Sequence, residues 1–252
     1  MRRVTVLAAV ISGVALVLAI PQVFAAEVAA NLQNGEKIFK EGKGSVPACT
    51  SCHGEDGMGN DMMGTPRLAG QISQFLVKQL EDFAQDKRMD TTMFIMNANA
   101  KGLSPEDRRD VAAYAHSLSA PGSAGGGSNI KELQASGIQT GQAHLGLALV
   151  NYGDIERGIS GCRSCHDYNG RGVDPVYPKI GEQKFVYLVN QLKKWRDGSR
   201  ANDPMGQMQK VAQHLTDEDI LNVATYLTNA PPLSMGNTRV PEQHHFMTFD
   251  TK

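Results

Sequence analysis

The chain has 252 residues, 41% of them hydrophobic and 20% charged, and a mean hydropathy of −0.30, which excludes a polytopic membrane protein and describes a soluble chain of one large or two modest domains. Its 25 basic and 26 acidic residues nearly cancel, and no basic block exists to grip nucleic acid or an anionic lipid surface. Only four cysteines occur, in two tight pairs, so the fold is not built around disulfides.

Residues 1–25 read as an export signal. Arg2 and Arg3 precede an uncharged run of 17 residues from Val4 to Ile20, and Val23-Phe24-Ala25 fits a small-residue cleavage site. The run sits at the lower limit for spanning a bilayer, so an uncleaved anchor is the alternative to release into the periplasm. Cleavage after Ala25 leaves 23 basic against 26 acidic residues, a charge of about −3.

Beyond the signal, Gly35 to Gly42 carries Ile38 and Phe39 on a short helix, followed by Cys49-Thr-Ser-Cys52-His53 and a loop rich in glycine and methionine. Ile72, Phe75, Leu76, Gln79, Leu80 and Phe83 then fall on one face at helical spacing and predict a second helix. A third starts at Ser104, with Pro105 at its first position, Asp107 three residues after the cap, and Val111, Ala112, Ala115 and Leu118 inward. The stretch Pro121 to Ser128 is glycine- and serine-rich and lacks large apolar side chains, as a flexible linker does.

The chain then repeats itself. Cys49, Cys52 and His53 meet Cys162, Cys165 and His166 at a shift of 113, and a shift of 112 pairs Pro66, Gln71, Leu76, Gln79, Arg88, Met93, Met96 and Tyr114 with Pro178, Gln183, Leu188, Gln191, Arg200, Met205, Met208 and Tyr226. The second helix recurs from about Gln183 to Asp197, and Thr216 with Asp219 repeats the third helix start. This organisation predicts a first domain at 26–120, a linker at 121–129, a second domain at 130–232 and an irregular tail at 233–252 that holds Pro241 and the pair His244-His245. Three short helices per domain make too small a core for such long loops, so a large apolar cofactor is expected to complete each one.

Both cysteine pairs have the C-x-x-C-H arrangement of c-type haem attachment. Two thiols three positions apart on a helical turn can each form a thioether with one vinyl group, and the histidine that follows is directed at the iron. A zinc site would need four ligands, which neither half supplies, and a thioredoxin-like pair would not require histidine in both copies. The metal-binding candidates are therefore His53 and His166, with two haem c groups held through Cys49, Cys52, Cys162 and Cys165. For the sixth ligand the repeat discards Met58, Met62, Met63, Met89, His116, His144 and His214, which lack partners, and retains Met93 with Met205 and Met96 with Met208. A thioether opposite histidine raises the potential, as suits a carrier at the oxidising end of a chain.

The two motifs, the repeated Pro-x-Leu/Ile, the Gln-Leu helix, the arginine with paired methionines and the closing Leu-Ser/Thr-x-x-Asp helix resemble the cytochrome c4 family over residues 31–230. The resemblance implies an all-α protein of two tandem class I cytochrome c-like haem domains. Its register, eight residues before the cap of the last helix, selects Met96 and Met208 as ligands and leaves Met93 and Met205 as packing residues. It also implies that the carbonyls of Pro66 and Pro178 accept the proximal histidines' ring N–H. Arg88 and Arg200 have two readings, a haem propionate partner or a solvated helix end. The long linker, the extra segment from Asn129 to Leu145 and the tail depart from the family pattern.

The reading is a periplasmic dihaem electron carrier without catalytic residues, passing single electrons from a donor in a respiratory chain to a terminal oxidase or copper protein; the donor is membrane-bound, and peripheral membrane association is compatible with it. Two alternatives compete: the cytochrome subunit of a larger dehydrogenase, for example one of sulfur compound oxidation, and an enzyme that keeps one iron open to a small substrate. Methionines that can close both irons weigh against the last.

Overall fold

A computed structural model describes residues 29–118 and 127–230. The expected signal peptide at 1–25, the linker residues 121–126 and the tail at 233–252 lie outside the described residues. Within the described residues the fold is helical, and extended pairing is limited to isolated bridges such as Asn60 with Thr65 and Val173 with Tyr177.

The first half consists of α1 (Leu32–Glu41), α2 (Thr50–His53), α3 (Ser73–Ala84), α4 (Met96–Lys101) and α5 (Pro105–Ser117). Ile38, Phe39, Leu76, Leu103, Val111, Ala112 and Ala115 form its core. The second half adds α6 (Ile130–Ala135) and then repeats the plan with α7 (Ala143–Tyr152), α8 (Arg163–His166), α9 (Phe185–Asp197), α10 (Gln207–Ala212) and α11 (Asp217–Thr228). Its larger core gathers Leu149, Val150, Phe185, Leu188, Trp195, Ile220, Val223 and Leu227.

The helix starts anticipated from sequence have their chemical cause on view. Ser104 and Thr216 each accept the backbone N–H three residues on, and Asp107 and Asp219 each accept the N–H of the cap, so both closing helices begin with a complete capping box. The extra segment also begins with a cap, since the Asn129 side chain accepts from Lys131 and Glu132, and it sinks Leu133 into the second core. Residues 127–129, assigned to the linker by composition, pack on the second half: Ser128 is buried, its N–H donates to Thr228 Oγ1 and its hydroxyl accepts from Phe185 N.

In each half the first and last helices cross with almost nothing between them. A Cβ on Gly35 would lie 2.1 Å from Asp110 O, and one on Gly146 would lie 2.0 Å from Asn222 O. The crossing is locked by side chains at the same two positions. Asp110 accepts from Asn31 N at 2.8 Å, and Asn222 accepts from Gln142 N at 2.6 Å.

The two halves meet through α3 and α9 and the segments flanking them, and the hydrogen bonds obey a local pseudo-twofold. Gln71 pairs with both backbone groups of Lys179 at 2.8 and 2.9 Å, and Gln183 pairs with both of Arg67 at 3.0 and 2.7 Å. Arg88 donates to Gln191 while Arg200 donates to Gln79. Such self-complementary pairing is the signature of an isologous interface, here built between two halves of one chain. The Arg67–Glu182 ion pair, 2.8 Å and largely buried, breaks the symmetry on one side.

Gly146→Ala tests the crossing. The added methyl must push two backbones apart, so the substitution is expected to destabilise the second half by about 1–3 kcal/mol. Calorimetric melting of the holoprotein reads this as a transition that moves down in temperature, and Gly35→Ala should do the same for the first half.

Candidate functional site: two matched histidine and cysteine centres

Each centre starts from a single helical turn. Cys49 and Cys162 have helical backbone angles and cap α2 and α8, and the histidine N–H groups close the turn onto them: His53 N to Cys49 O at 3.0 Å and His166 N to Cys162 O at 2.9 Å. Cys49, Cys52 and Cys162 are half-buried and Cys165 is exposed. Burial pushes the Cys49 and Cys162 thiols up to about 11. Among the described residues no group of three or more His, Cys, Asp or Glu side chains is placed to hold a metal ion.

Both histidines are 7% exposed. His53 Nδ1 lies 3.0 Å from Pro66 O and His166 Nδ1 lies 2.8 Å from Pro178 O. A carbonyl can only accept, so Nδ1 carries the proton and the lone pair is left on Nε2. Burial also lowers both imidazoles below the ordinary histidine range, outweighing the carbonyls, which favours the neutral ring. A buried neutral imidazole with Nε2 free and its orientation fixed by a carbonyl is suited to hold iron.

The proline carbonyls reach the rings because glycine lets the chain close up behind them. Gly59, at φ +74°, donates to His53 O, and a Cβ there would lie 2.5 Å from the Pro66 carbonyl carbon. The two loops differ beyond that point. Thr65 donates to Cys52 O at 2.7 Å in the first half, whereas Tyr177 stands in its place and sets its ring edge-on to His166 in the second.

The retained methionines occupy the starts of α4 and α10, and both are half-buried. One aspartate fixes each loop: Asp90 accepts from Thr92, Met93, Ile95 and Met96, and Asp203 accepts from Met208 and Gln209. Burial pushes the Asp90 carboxyl up, but these four N–H groups together hold it below the usual carboxylate range. Met208 packs on the second core. Met205 is 78% exposed, at φ +57°. Met93 is half-buried like Met96.

Sequence reading left Arg88 and Arg200 between a cofactor contact and a solvated helix end; both are 7% exposed at the junction of the halves. Each stacks on a ring, Arg88 at 4.6 Å from the Phe83 centroid and Arg200 at 4.2 Å from that of Trp195. Their hydrogen-bond partners are amide oxygens and a phenol: Gln79, Gln191, Asn202 and Tyr187. Burial, and next the charge of Arg88, pulls Arg200 below the ordinary guanidinium range. Two buried cations that share neutral partners call for an anion beside them. A haem c, with vinyl groups for thiols, iron for imidazole and thioether, and carboxylates for guanidinium groups, fits this donor set.

The model of the cytochrome c family matches residues 32–119 and 159–231. This chain belongs to the cytochrome c family. Among its relatives, a thiosulfate dehydrogenase electron acceptor of Stutzerimonas stutzeri strain A1501 is 36% identical over 203 residues, covering 79% of this chain and 88% of the relative. The solved structure of reduced recombinant cytochrome c4 from Pseudomonas stutzeri is similar over 80% of this chain and all of that one, with TM-score 0.64 and 31% identity. The thiosulfate dehydrogenase TsdBA of Marichromatium purpuratum matches 80% of this chain with TM-score 0.70 and 30% identity, and the chain spans 41% of it. The protein is thus a dihaem, cytochrome c4-like cytochrome c with two covalently bound haem c groups, and it transfers electrons with redox partners. No helix among the described residues is long and apolar enough to cross a membrane.

Several site residues escaped the sequence reading. Gln71, Gln183 and Gln191 were visible only as repeat matches, and Gln79 also as part of a helix face, although an amide kept among apolar residues in both copies is itself a signal of a buried polar contact. Asp90 and Asp203 gave no signal because they are not at equivalent positions of the repeat.

Asp90→Ala removes the acceptor of four N–H groups just ahead of α4. A loss of about 2–3 kcal/mol is expected for the first half, read as a lower guanidinium midpoint, and Asp203→Ala should weaken the second half by less because fewer bonds are lost.

Proposed function

We propose that the protein is a periplasmic electron carrier, not itself a catalyst, that takes single electrons from a thiosulfate dehydrogenase and delivers them to a terminal oxidase or copper protein. In this reading Cys49 and Cys52 would attach one haem and Cys162 and Cys165 the other. His53 and His166 would hold the irons through Nε2, Met96 and Met208 would supply the second protein ligand to each, and Arg88 with Arg200 would receive propionate carboxylates. The observation that carries it is the matched pair of buried imidazoles, each locked by a proline carbonyl with Nε2 left as the ligand atom. The bound haem supplies a one-electron couple, and the chain supplies fixed ligands, so that little rearranges when the charge changes.

The donor is inferred from relatives whose names describe an electron acceptor of thiosulfate dehydrogenase and from TsdBA. A related possibility for the same chemistry is that the protein works as the cytochrome subunit of that dehydrogenase. With 25 basic and 26 acidic residues and no basic block along the sequence, docking should depend only modestly on salt.

Ligation is tested on the purified holoprotein. The denatured chain should carry the mass of two haems, and replacing Cys162 and Cys165 together with alanine should remove one. Met96→Ala and Met208→Ala should each abolish about half of the far-red iron–sulfur absorption of the oxidised protein and lower one potential, while Met93→Ala and Met205→Ala spare both. Loss of the band in the latter pair would move the ligand by one turn.

Partner choice is tested by stopped-flow mixing. A thiosulfate dehydrogenase supplied with thiosulfate should reduce both haems within its turnover time, and a copper protein or terminal oxidase should reoxidise them. The isolated protein should neither turn over thiosulfate nor bind carbon monoxide rapidly. Rapid binding at one haem, with turnover, would make it the enzyme.

A further inference from the structure

The peptide group that joins Pro66 to Arg67 is engaged at both ends. Its carbonyl receives His53 Nδ1–H at 3.0 Å, and its N–H donates to the side-chain oxygen of Gln183, in the other half, at 2.7 Å. Gln183 Nε2 donates back to Arg67 O at 3.0 Å, so the glutamine is fixed at two points. The second half repeats the arrangement. Pro178 O receives His166 Nδ1–H at 2.8 Å, Lys179 N–H donates to Gln71 Oε1 at 2.9 Å, and Gln71 Nε2 donates to Lys179 O at 2.8 Å.

Both glutamines are 6% exposed, so water does not compete strongly for these bonds. Within a peptide group, a partner that accepts from the N–H pushes electron density toward the oxygen and makes the carbonyl a better acceptor. A better acceptor draws the Nδ1 proton and enriches the imidazole, which raises the basicity of Nε2. An electron-rich axial imidazole stabilises oxidised iron relative to reduced iron, lowering the potential.

We propose that Gln183 and Gln71 are crossed positioning residues, each setting the orientation and basicity of the histidine in the opposite half, so that the potential of each haem is set in part by the other half of the chain. Gln183 acts on His53 through the Pro66–Arg67 peptide, and Gln71 acts on His166 through the Pro178–Lys179 peptide. The proposal rests on His53 and His166 being iron ligands. It explains why a neutral amide stands at these positions: an amide offers an acceptor to the N–H and a donor to the C=O of the same residue, which neither a carboxylate nor an ammonium group can do.

The test uses full-length holoprotein and NMR, which follows the two haems separately during graded reduction. Paramagnetically shifted ring protons of His53 and His166 in the unaltered protein establish ligation first, and their absence would be a failure of the ligand assignment rather than of the crossing. Gln183→Met keeps the shape and removes the acceptor. It should raise the reduced-to-oxidised ratio of the first haem about three- to tenfold at fixed solution potential, tenfold being about 59 mV for one electron, and move the His53 Nδ1–H resonance upfield. The second haem should change far less, and Gln71→Met should give the mirror result. Gln183→Glu, which retains an acceptor, should shift the first haem the other way. A shift confined to the second haem in Gln183→Met, equal shifts in both, or none would overturn the proposal. If the methionine variants do not fold, hydrogen exchange of the unaltered protein decides: protected Arg67 and Lys179 amides support the crossed bonds, and free exchange overturns them.

Discussion

A buried polar group must find a partner, and in this protein that requirement ties together ligand, loop and interface. The ring N–H of each histidine is shut away from water and is satisfied only by a proline carbonyl. The peptide group behind that carbonyl presents its N–H at the junction of the halves, where water is excluded as well, and there a glutamine from the other half completes it. Neither link can be left open without leaving a buried donor unpaired, at a cost of about 1–3 kcal/mol for each. Docking of the halves and orientation of the histidines are therefore satisfied by one set of bonds.

The same economy appears in the guanidinium pair. Arg88 and Arg200 reach across the junction to Gln191 and Gln79, and each is flattened against an aromatic ring of its own half. Planarity is what permits this, because a guanidinium can stack on a ring and still donate along its edge, which an ammonium cannot.

Much of this was legible in the sequence because it was written twice. The amphipathic spacing of α3 and α9, the caps at Ser104 and Thr216 and the two cysteine-histidine turns each obey a local rule, and duplication separated signal from coincidence. What was hidden obeys no local rule. Helix α4 reads Met-Asn-Ala-Asn-Ala-Lys, buries only Ala100 and exists because the Asp90 carboxylate gathers the N–H groups ahead of it. Helix α6 lies in a segment without a counterpart, and its largely polar composition masked Leu133, the buried residue that anchors it with Ile130 beside the same core. The glutamines were counted as matches and not as contacts, since a repeat reveals which positions are shared and says nothing of which face another half.

Beyond the Arg67–Glu182 pair the pseudo-twofold fails at a second place, and there the imperfection is directional. Asp82 faces Asn202 at 2.6 Å, while its counterpart Lys194 faces Thr92 at 2.7 Å and is drawn toward the charge of Asp90. Exchange one half for a second copy of the other and the register brings different groups together. Two first halves would set Asp82 against Asp90, acid against acid, at both ends of the junction; two second halves would leave Lys194 opposite a neutral asparagine. Of the three pairings, the mixed one keeps Asp82 from facing Asp90 and sets Lys194 within reach of the Asp90 charge. The duplicated chain thus carries its own means of telling like halves from unlike ones.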